Sequence, residues 1–91
     1  MLKIDIWPVA RDFIDTLPAK HQRQIGARIG VLRENPEPPR SKLLEGFAPL
    51  RRVRSGDYRI VYFANTTTLN IVLVDRRNDD AVYRRLKQMF Q

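Results

Sequence analysis

Residues 51–75 read RRVRSGDYRIVYFANTTTLNIVLVD, and how this stretch pairs decides the fold. Gly56-Asp57 divides two runs rich in β-branched and aromatic residues, a two-residue hairpin loop with glycine first, as a type II′ turn prefers. That turn sets Ser55 opposite Tyr58, Arg54 opposite Arg59 and Arg52 opposite Val61. Side chains alternate faces with a period of two. Arg52, Arg54 and Arg59 therefore share a face with Leu50, Val61 and Phe63, while Val53, Tyr58, Ile60 and Tyr62 point the other way in the pattern of a core face. A one-residue bulge would move Arg59 to the opposite side. Strands are expected at about 50–55, 58–64 and 69–75, with ANTTT (64–68) as the turn before the last. LNIVLVD (69–75) is nearly all apolar and reads as an inner strand covered on both faces.

Upstream, ENPEPPRS (34–41) carries three of the six prolines and can be neither helix nor inner strand. It reads as a connector, followed by KLLEG. LKIDIW (2–7) alternates Leu2, Ile4 and Ile6 with polar residues and Trp7, a strand ended by Pro8. VARDFIDTL then sets Ala10, Phe13, Ile14 and Leu17 on one helical stripe, broken at Leu17-Pro18. A second helix, about 19–34, aligns Ile25, Ile29 and Leu32, and Gly26 and Gly30 are expected to let the two helices approach closely. Downstream, DDAVYRRLKQMF is a helix expected to start at Asp79 or Asp80, with Val82, Leu86, Met89 and Phe90 on its core side. The order β-α-α-β-β-β-α describes an α+β fold: an N-terminal strand, a helical hairpin, an antiparallel sheet of about four strands, and a C-terminal helix.

The 91 residues are expected to form one domain, 1–91, which buries roughly 60–65% of its unfolded surface. The apolar content of 43% with 30% charged residues excludes a disordered chain. Seventeen lysines and arginines against 10 acids give +7, and 13 of the 17 are arginine, whose planar fork pairs bidentately with phosphate. The excess is uneven: +2 over residues 1–40 and +5 over 51–91. Such a balance points to a polyanionic partner, RNA foremost. With no cysteine there is neither a disulfide nor a thiolate metal site. No run approaches the length of about 18 apolar residues that spans a membrane, and the first residues lack a secretory apolar segment, so a cytoplasmic location is expected.

Three guanidiniums on one sheet face repel one another by a few tenths to about 1 kcal/mol per opposed pair. Two explanations stand open. They face a bound phosphate, or they splay into water with Asp57 and Glu45 each pairing one of them. A second constellation is VDRRNDDAVY (74–83): Arg76 and Arg77 leave the inner strand, Asp79 and Asp80 open a helix, and Tyr83 sits in its first turns. That set suits a phosphate with a base stacked beside it, and equally a partly buried structural tyrosine. His21, the one histidine, reads as a helix-start residue away from the arginines. No paired carboxylates at metal-site spacing, P-loop, dinucleotide fingerprint or nucleophile elbow is present, and no metal or cofactor is expected.

The order of elements, LLEGFAPLRRVRSGDYRIVY, LNIVLV and DRRNDDAVYRRL together resemble the RelE/ParE superfamily of toxins from type II toxin–antitoxin systems. The resemblance covers nearly the whole chain and is strongest over residues 43–85. It implies a RelE-like fold and, on the RelE branch, a ribosome-dependent mRNA interferase: an endoribonuclease that inhibits translation by cutting mRNA in the A site, without metal, through attack of a 2′-OH on its adjacent phosphorus. Matched residue by residue, it implies catalytic roles for Arg52, Arg59, Arg77 and Tyr83. Arg51, Arg54 and Arg76 are then candidates for RNA or phosphate contact. Leu50 falls where the best-known members carry lysine. The implied partners are a cognate antitoxin, the ribosome with its mRNA, and operator DNA only through the antitoxin.

A phosphorane-like transition state gathers charge on nonbridging oxygens, which fixed guanidiniums stabilise. Guanidinium and phenol groups are ordinarily poor proton carriers near neutrality, so the ribosome is expected to supply orientation. Two alternatives share the fold. One is a ParE-type inhibitor of DNA gyrase that cleaves nothing; the other is a catalytically degenerate binding module, for which Leu50 is the argument.

Overall fold

The computed structural model describes residues 1–90; Gln91, the last residue of the expected 1–91 unit, lies outside the described residues. The elements run β1 (Lys3–Ile6), α1 (Pro8–Asp15), α2 (Ala19–Glu34), β2 (Lys42–Leu43), β3 (Arg51–Ser55), β4 (Tyr58–Ala64), β5 (Thr68–Asp75) and α3 (Asp79–Met89). This is the expected α+β arrangement with its N-terminal strand, helical pair and C-terminal helix. The strands form one sheet in the order β1-β5-β4-β3-β2.

Two features of the sheet differ from the sequence reading. It has five strands rather than about four, because Lys42 and Leu43 pair with Arg52 and Arg51. Two residues are too few for alternation to reveal a strand. It is also mixed rather than wholly antiparallel: β1 lies parallel to β5, from Lys3 opposite Thr68 to Ile6 opposite Ile71. Strands β2 to β4 take one side of β5, leaving its other edge for β1, and the long intervening chain permits the parallel direction.

The β3–β4 hairpin has the expected register, with Arg54 opposite Arg59 and Ser55 opposite Tyr58. Gly56 adopts φ +59 while Asp57 does not take a positive φ, as a type II′ loop requires. A bulge is present, but between β4 and β5: Val61 pairs with Leu73 and Tyr62 with Ile71, so Val72 is the extra residue. Arg59 thus keeps its face, and the bulge instead re-phases the end of β5.

Both sheet faces are covered. On one, Ala10 of α1 and Ile25, Ile29 and Leu32 of α2 pack on Val53, Tyr58, Ile60, Tyr62, Leu69, Ile71 and Val74. On the other, Val82 and Leu86 of α3 pack on Leu44, Leu50, Val61, Val72 and Leu73. Each large aliphatic side chain so buried contributes about 1.5–3 kcal/mol relative to exposure. Met89 is partly buried against the second cluster, whereas Phe90 is 48% exposed. The stripe on α3 is core at its start and surface at its end.

Gly26 and Gly30 do not mediate the helix contact expected of them, since a Cβ at either position would meet nothing within 4 Å. The α1–α2 corner is instead held by Gln22, whose amide donates to the carbonyls of Ile14 (3.0 Å) and Leu17 (3.1 Å). The Tyr62 hydroxyl donates to the Pro36 carbonyl (2.7 Å) and ties the proline connector to the sheet. Among the described residues no helix is long and apolar enough to cross a membrane.

Candidate functional site

Arg52 on β3 and Arg59 on β4 reach the α3 side of the sheet, and both converge on one carboxylate. Arg59 Nε donates to Asp79 Oδ1 at 2.8 Å, and Arg52 Nη2 donates to Asp79 Oδ2 at 3.0 Å. The two arginine side chains are 12% and 16% exposed and that of Asp79 39%, so solvent screens the pairs only in part. Arg59 Nη1 also donates to the Arg77 carbonyl at 2.8 Å. Arg52 Nε is buried without an acceptor among the described residues.

The repulsion along the arginine face therefore has an internal answer, and the carboxylate that supplies it is neither Asp57 nor Glu45. Those two enter no ion pair among the described residues. Asp79 does not cap α3 either: the N-cap is Asn78, whose side-chain oxygen accepts from the Ala81 N–H at 2.9 Å. Asparagine caps as well as aspartate, and its use here releases Asp79 for the arginines. Burial pushes the Asp79 carboxyl upward, but the Arg59 hydrogen bond and the charges of Arg52 and Arg59 outweigh it and hold it below the usual range.

The bulge at Val72 shapes the second half of the site. Unbroken alternation from Leu69 would send Asp75 to the helical-hairpin face; the extra residue puts it directly opposite Arg59, on the arginine face. Asp75 accepts from Arg77 three times: backbone N–H to Oδ1 (2.9 Å), Nε to Oδ1 (3.3 Å) and Nη2 to Oδ2 (3.2 Å). The Asp75 side chain is 7% exposed and that of Arg77 59%. Burial raises the Asp75 carboxyl, and the Arg77 side-chain and backbone hydrogen bonds bring it to a net lowered pKa.

Tyr83 lies four residues after Asp79, on the same face of α3. Its hydroxyl accepts from the Glu45 N–H at 3.1 Å, and its ring centroid is 5.9 Å from that of Phe47. It is half-buried against the second core cluster. Leu50, 6% exposed, belongs to the same cluster.

Arg52 and Arg59 thus meet on Asp79, Arg77 joins them through its carbonyl while its side chain pairs with Asp75, and Tyr83 follows one helical turn after Asp79; the three further arginines singled out in the sequence lie outside this group. Arg51 alternates to the other face, where it pairs with Glu37 (3.3 Å) and its Nε donates to Ser41 Oγ (3.2 Å). Arg76 places its guanidinium over the Tyr58 ring, 5.8 Å from the centroid, also on the hairpin side. Arg54 is exposed at the hairpin end of β3, next to Arg59 across the strands. His21 is more than a helix-start residue: its Nδ1 lies 2.7 Å from the Tyr58 hydroxyl. Asp75 and Asp79, absent from the sequence-based site, are its two anions. Among the described residues no group of three or more His, Cys, Asp or Glu side chains is arranged to hold a metal.

Chemically this is a cluster of net charge +1 that an anion could enter. Three guanidiniums face two carboxylates, and an incoming anion that replaces Asp79 meets two forks already side by side.

Residues 8–81 match the family described as the ParE toxin of the type II toxin–antitoxin system, parDE. The chain is similar to the archaeal RelE–RelB complex of Pyrococcus horikoshii (26% identity, TM-score 0.73, 86% of this chain and 97% of that one). It is similar to a RelBE toxin–antitoxin complex of Mycobacterium tuberculosis (26%, TM-score 0.72, 84% and 98%). A free-state mutant of the E. coli toxin RelE shares the fold at 19% identity, with a TM-score of 0.79 over 99% of this chain and 98% of that one. No curated protein sequence matches.

Proposed function

The chain belongs to the ParE toxin family of type II toxin–antitoxin systems, and we propose, from the arginines of its candidate site rather than from the family match, that it is a ribosome-dependent mRNA endonuclease acting in the cytoplasm. The single observation that carries this reading is the pair of guanidiniums from neighbouring strands, Arg52 and Arg59, held side by side by the two oxygens of one carboxylate. Two nonbridging phosphate oxygens ask for the same donors. In the proposed reaction the 2′-OH of an mRNA nucleotide gives up its proton to water and attacks the adjacent phosphorus; the O2′–P bond forms, the P–O5′ bond breaks, and the 5′ oxygen takes a proton from water as it leaves. Arg52 and Arg59 bind the nonbridging oxygens once Asp79 has yielded. Arg77, largely exposed beside them, neutralises the leaving oxygen, and Tyr83 orients the nucleotide. Donors fixed in this way contribute most as charge develops in the transition state.

A cognate antitoxin is the proposed partner, which draws support from the RelB-bound relatives at 26% identity. It would neutralise part of the +7 charge.

A second reading rests on the same ion pairs. With Arg52 and Arg59 already satisfied by Asp79, the Tyr83 hydroxyl occupied by Glu45, and Leu50 buried in the floor, the domain fits a ParE-type protein that inhibits DNA gyrase by contact alone. The test runs both targets in parallel: primer extension on mRNA from ribosomes carrying a defined A-site codon, and supercoiling by purified gyrase. A cut within the A-site codon, absent from naked mRNA, is expected. Inhibited gyrase with intact mRNA would replace the nuclease reading with the second one.

A further inference from the structure

On the open edge of β3 lies a cluster of arginines outside the site just described. β2 pairs only with Arg51 and Arg52, so the edge beyond them is unpaired. Arg28 of α2 reaches across and its Nε donates to the Arg54 carbonyl at 3.2 Å. Arg28, Arg54 and Arg40 of the proline connector, with the backbone of Gly56, line a cavity of about 380 Å³. It adjoins a shallower depression lined by Gln24, Ala27, Val31 and Ser55, sharing Arg28 and Gly56.

Three facts distinguish this cavity. No carboxylate lines it. None of its three arginines enters an ion pair among the described residues, whereas Arg51, Arg52, Arg59 and Arg77 all do. Arg54 is the direct cross-strand neighbour of Arg59, so one residue of the cavity's lining adjoins the Arg52–Asp79–Arg59 centre across the hairpin.

We propose that the Arg28–Arg40–Arg54 cavity binds a phosphate of single-stranded RNA whose backbone continues over β3 and β4 to the Arg52–Arg59 pair. This rests on the RNA-contact part of the proposed function and not on cleavage. Forks converging on one volume suit a group with several acceptor oxygens, which a phosphodiester supplies at one point and a peptide carboxylate only in part. The apolar patch beside it, Ala27 with the 49% exposed Val31, gives a sugar or base a surface to rest on.

The experiment uses the full chain and a 2′-O-methylated single-stranded RNA, which lacks the attacking hydroxyl and is therefore bound whether or not the protein is a nuclease. Affinity is measured against salt concentration. Each arginine that neutralises a phosphate on a single strand contributes about 0.7 to the slope of log K on log salt. Arg40→Gln, at an exposed residue whose side chain makes no hydrogen bond or ion pair among the described residues, is expected to lower the slope by about 0.7, and Arg28→Gln with Arg40→Gln by about 1.4. Arg11→Gln, exposed on α1, serves as the control for lost charge and is expected to leave the slope unchanged. A slope for Arg40→Gln equal to that of Arg11→Gln overturns the proposal. So does unchanged RNA binding with weakened binding of a polyglutamate peptide, which would assign the cavity to an acidic protein segment. Absent cleavage on ribosomes together with a reduced slope in Arg40→Gln would reject the nuclease reading and uphold this one.

Discussion

Asp79→Asn separates the two jobs given to this carboxylate, holding the arginines together and occupying the place of a substrate anion. The wild-type side chain accepts one charge-assisted bond from Arg59 (2.8 Å) and one from Arg52 (3.0 Å). Such bonds contribute about 1.5–3 kcal/mol when buried and about 0.2–1 kcal/mol when exposed. With Asp79 39% exposed and its partners mostly buried, roughly 1 kcal/mol each is appropriate. The amide also turns an N–H₂ group toward donors, so the variant should lose about 2 kcal/mol. For a domain of this size that lowers Tm by roughly 8–16 °C. Inorganic phosphate should then stabilise the variant more than the wild type, because the two forks no longer have a competing carboxylate. Calorimetry with and without phosphate reads both effects. A variant within about 0.5 kcal/mol of wild type, or an equal phosphate effect on the two proteins, would refute the claim that Asp79 holds an anion-binding pair.

Three further outcomes are expected. Arg77→Ala should destabilise by about 1–2 kcal/mol, although Arg77 is largely exposed, because it strands the buried Asp75 carboxylate; a double-mutant cycle with Asp75→Asn should recover most of that loss. Asp75 and Asp79 both have lowered pKa values in the folded state, so the stability they contribute is fully present above the unfolded value of about 3.9 and is lost as pH falls through the folded values. In acid melts the gap between wild type and Asp79→Asn should accordingly be constant near neutrality and close below about pH 4. Gly26→Ala should stabilise by about 0.5–1 kcal/mol in chemical denaturation, since the position is exposed and nothing meets the added Cβ.

What could be read from the sequence was local. Gly56 with Asp57 specifies its own turn, and period-two alternation then puts Arg52 and Arg59 on one face and Arg51 on the other. The apolar run of β5 required cover on both sides, which α1, α2 and α3 provide. The rest depended on contacts between distant segments. Nothing near Lys3 announces a parallel partner at Thr68. The bulge at Val72 leaves only a weak trace, two adjacent apolar residues that both face α3, yet it decides where Asp75 points. The sequence points to Asp79 or Asp80 as the helix start; only the tertiary position of β3 and β4 shows that Asn78 takes the cap and Asp79 the arginines. Arg28 and Arg40 carry no local signal at all, being brought to Arg54 by the folding of α2 and the proline connector against a sheet edge.

The most direct test of the central claim compares Arg59→Lys with Arg51→Ala in single-turnover cleavage on programmed ribosomes. Arg59→Lys keeps the charge but removes the fork that reaches Asp79 and the Arg77 carbonyl. Arg51 lies on the opposite face, paired with Glu37. A wild-type cut in the A-site codon is expected, with a loss of about 10²–10³-fold for Arg59→Lys and a rate within about threefold of wild type for Arg51→Ala. Equal losses in both variants, or Arg59→Lys cutting at the wild-type rate, would contradict the claim.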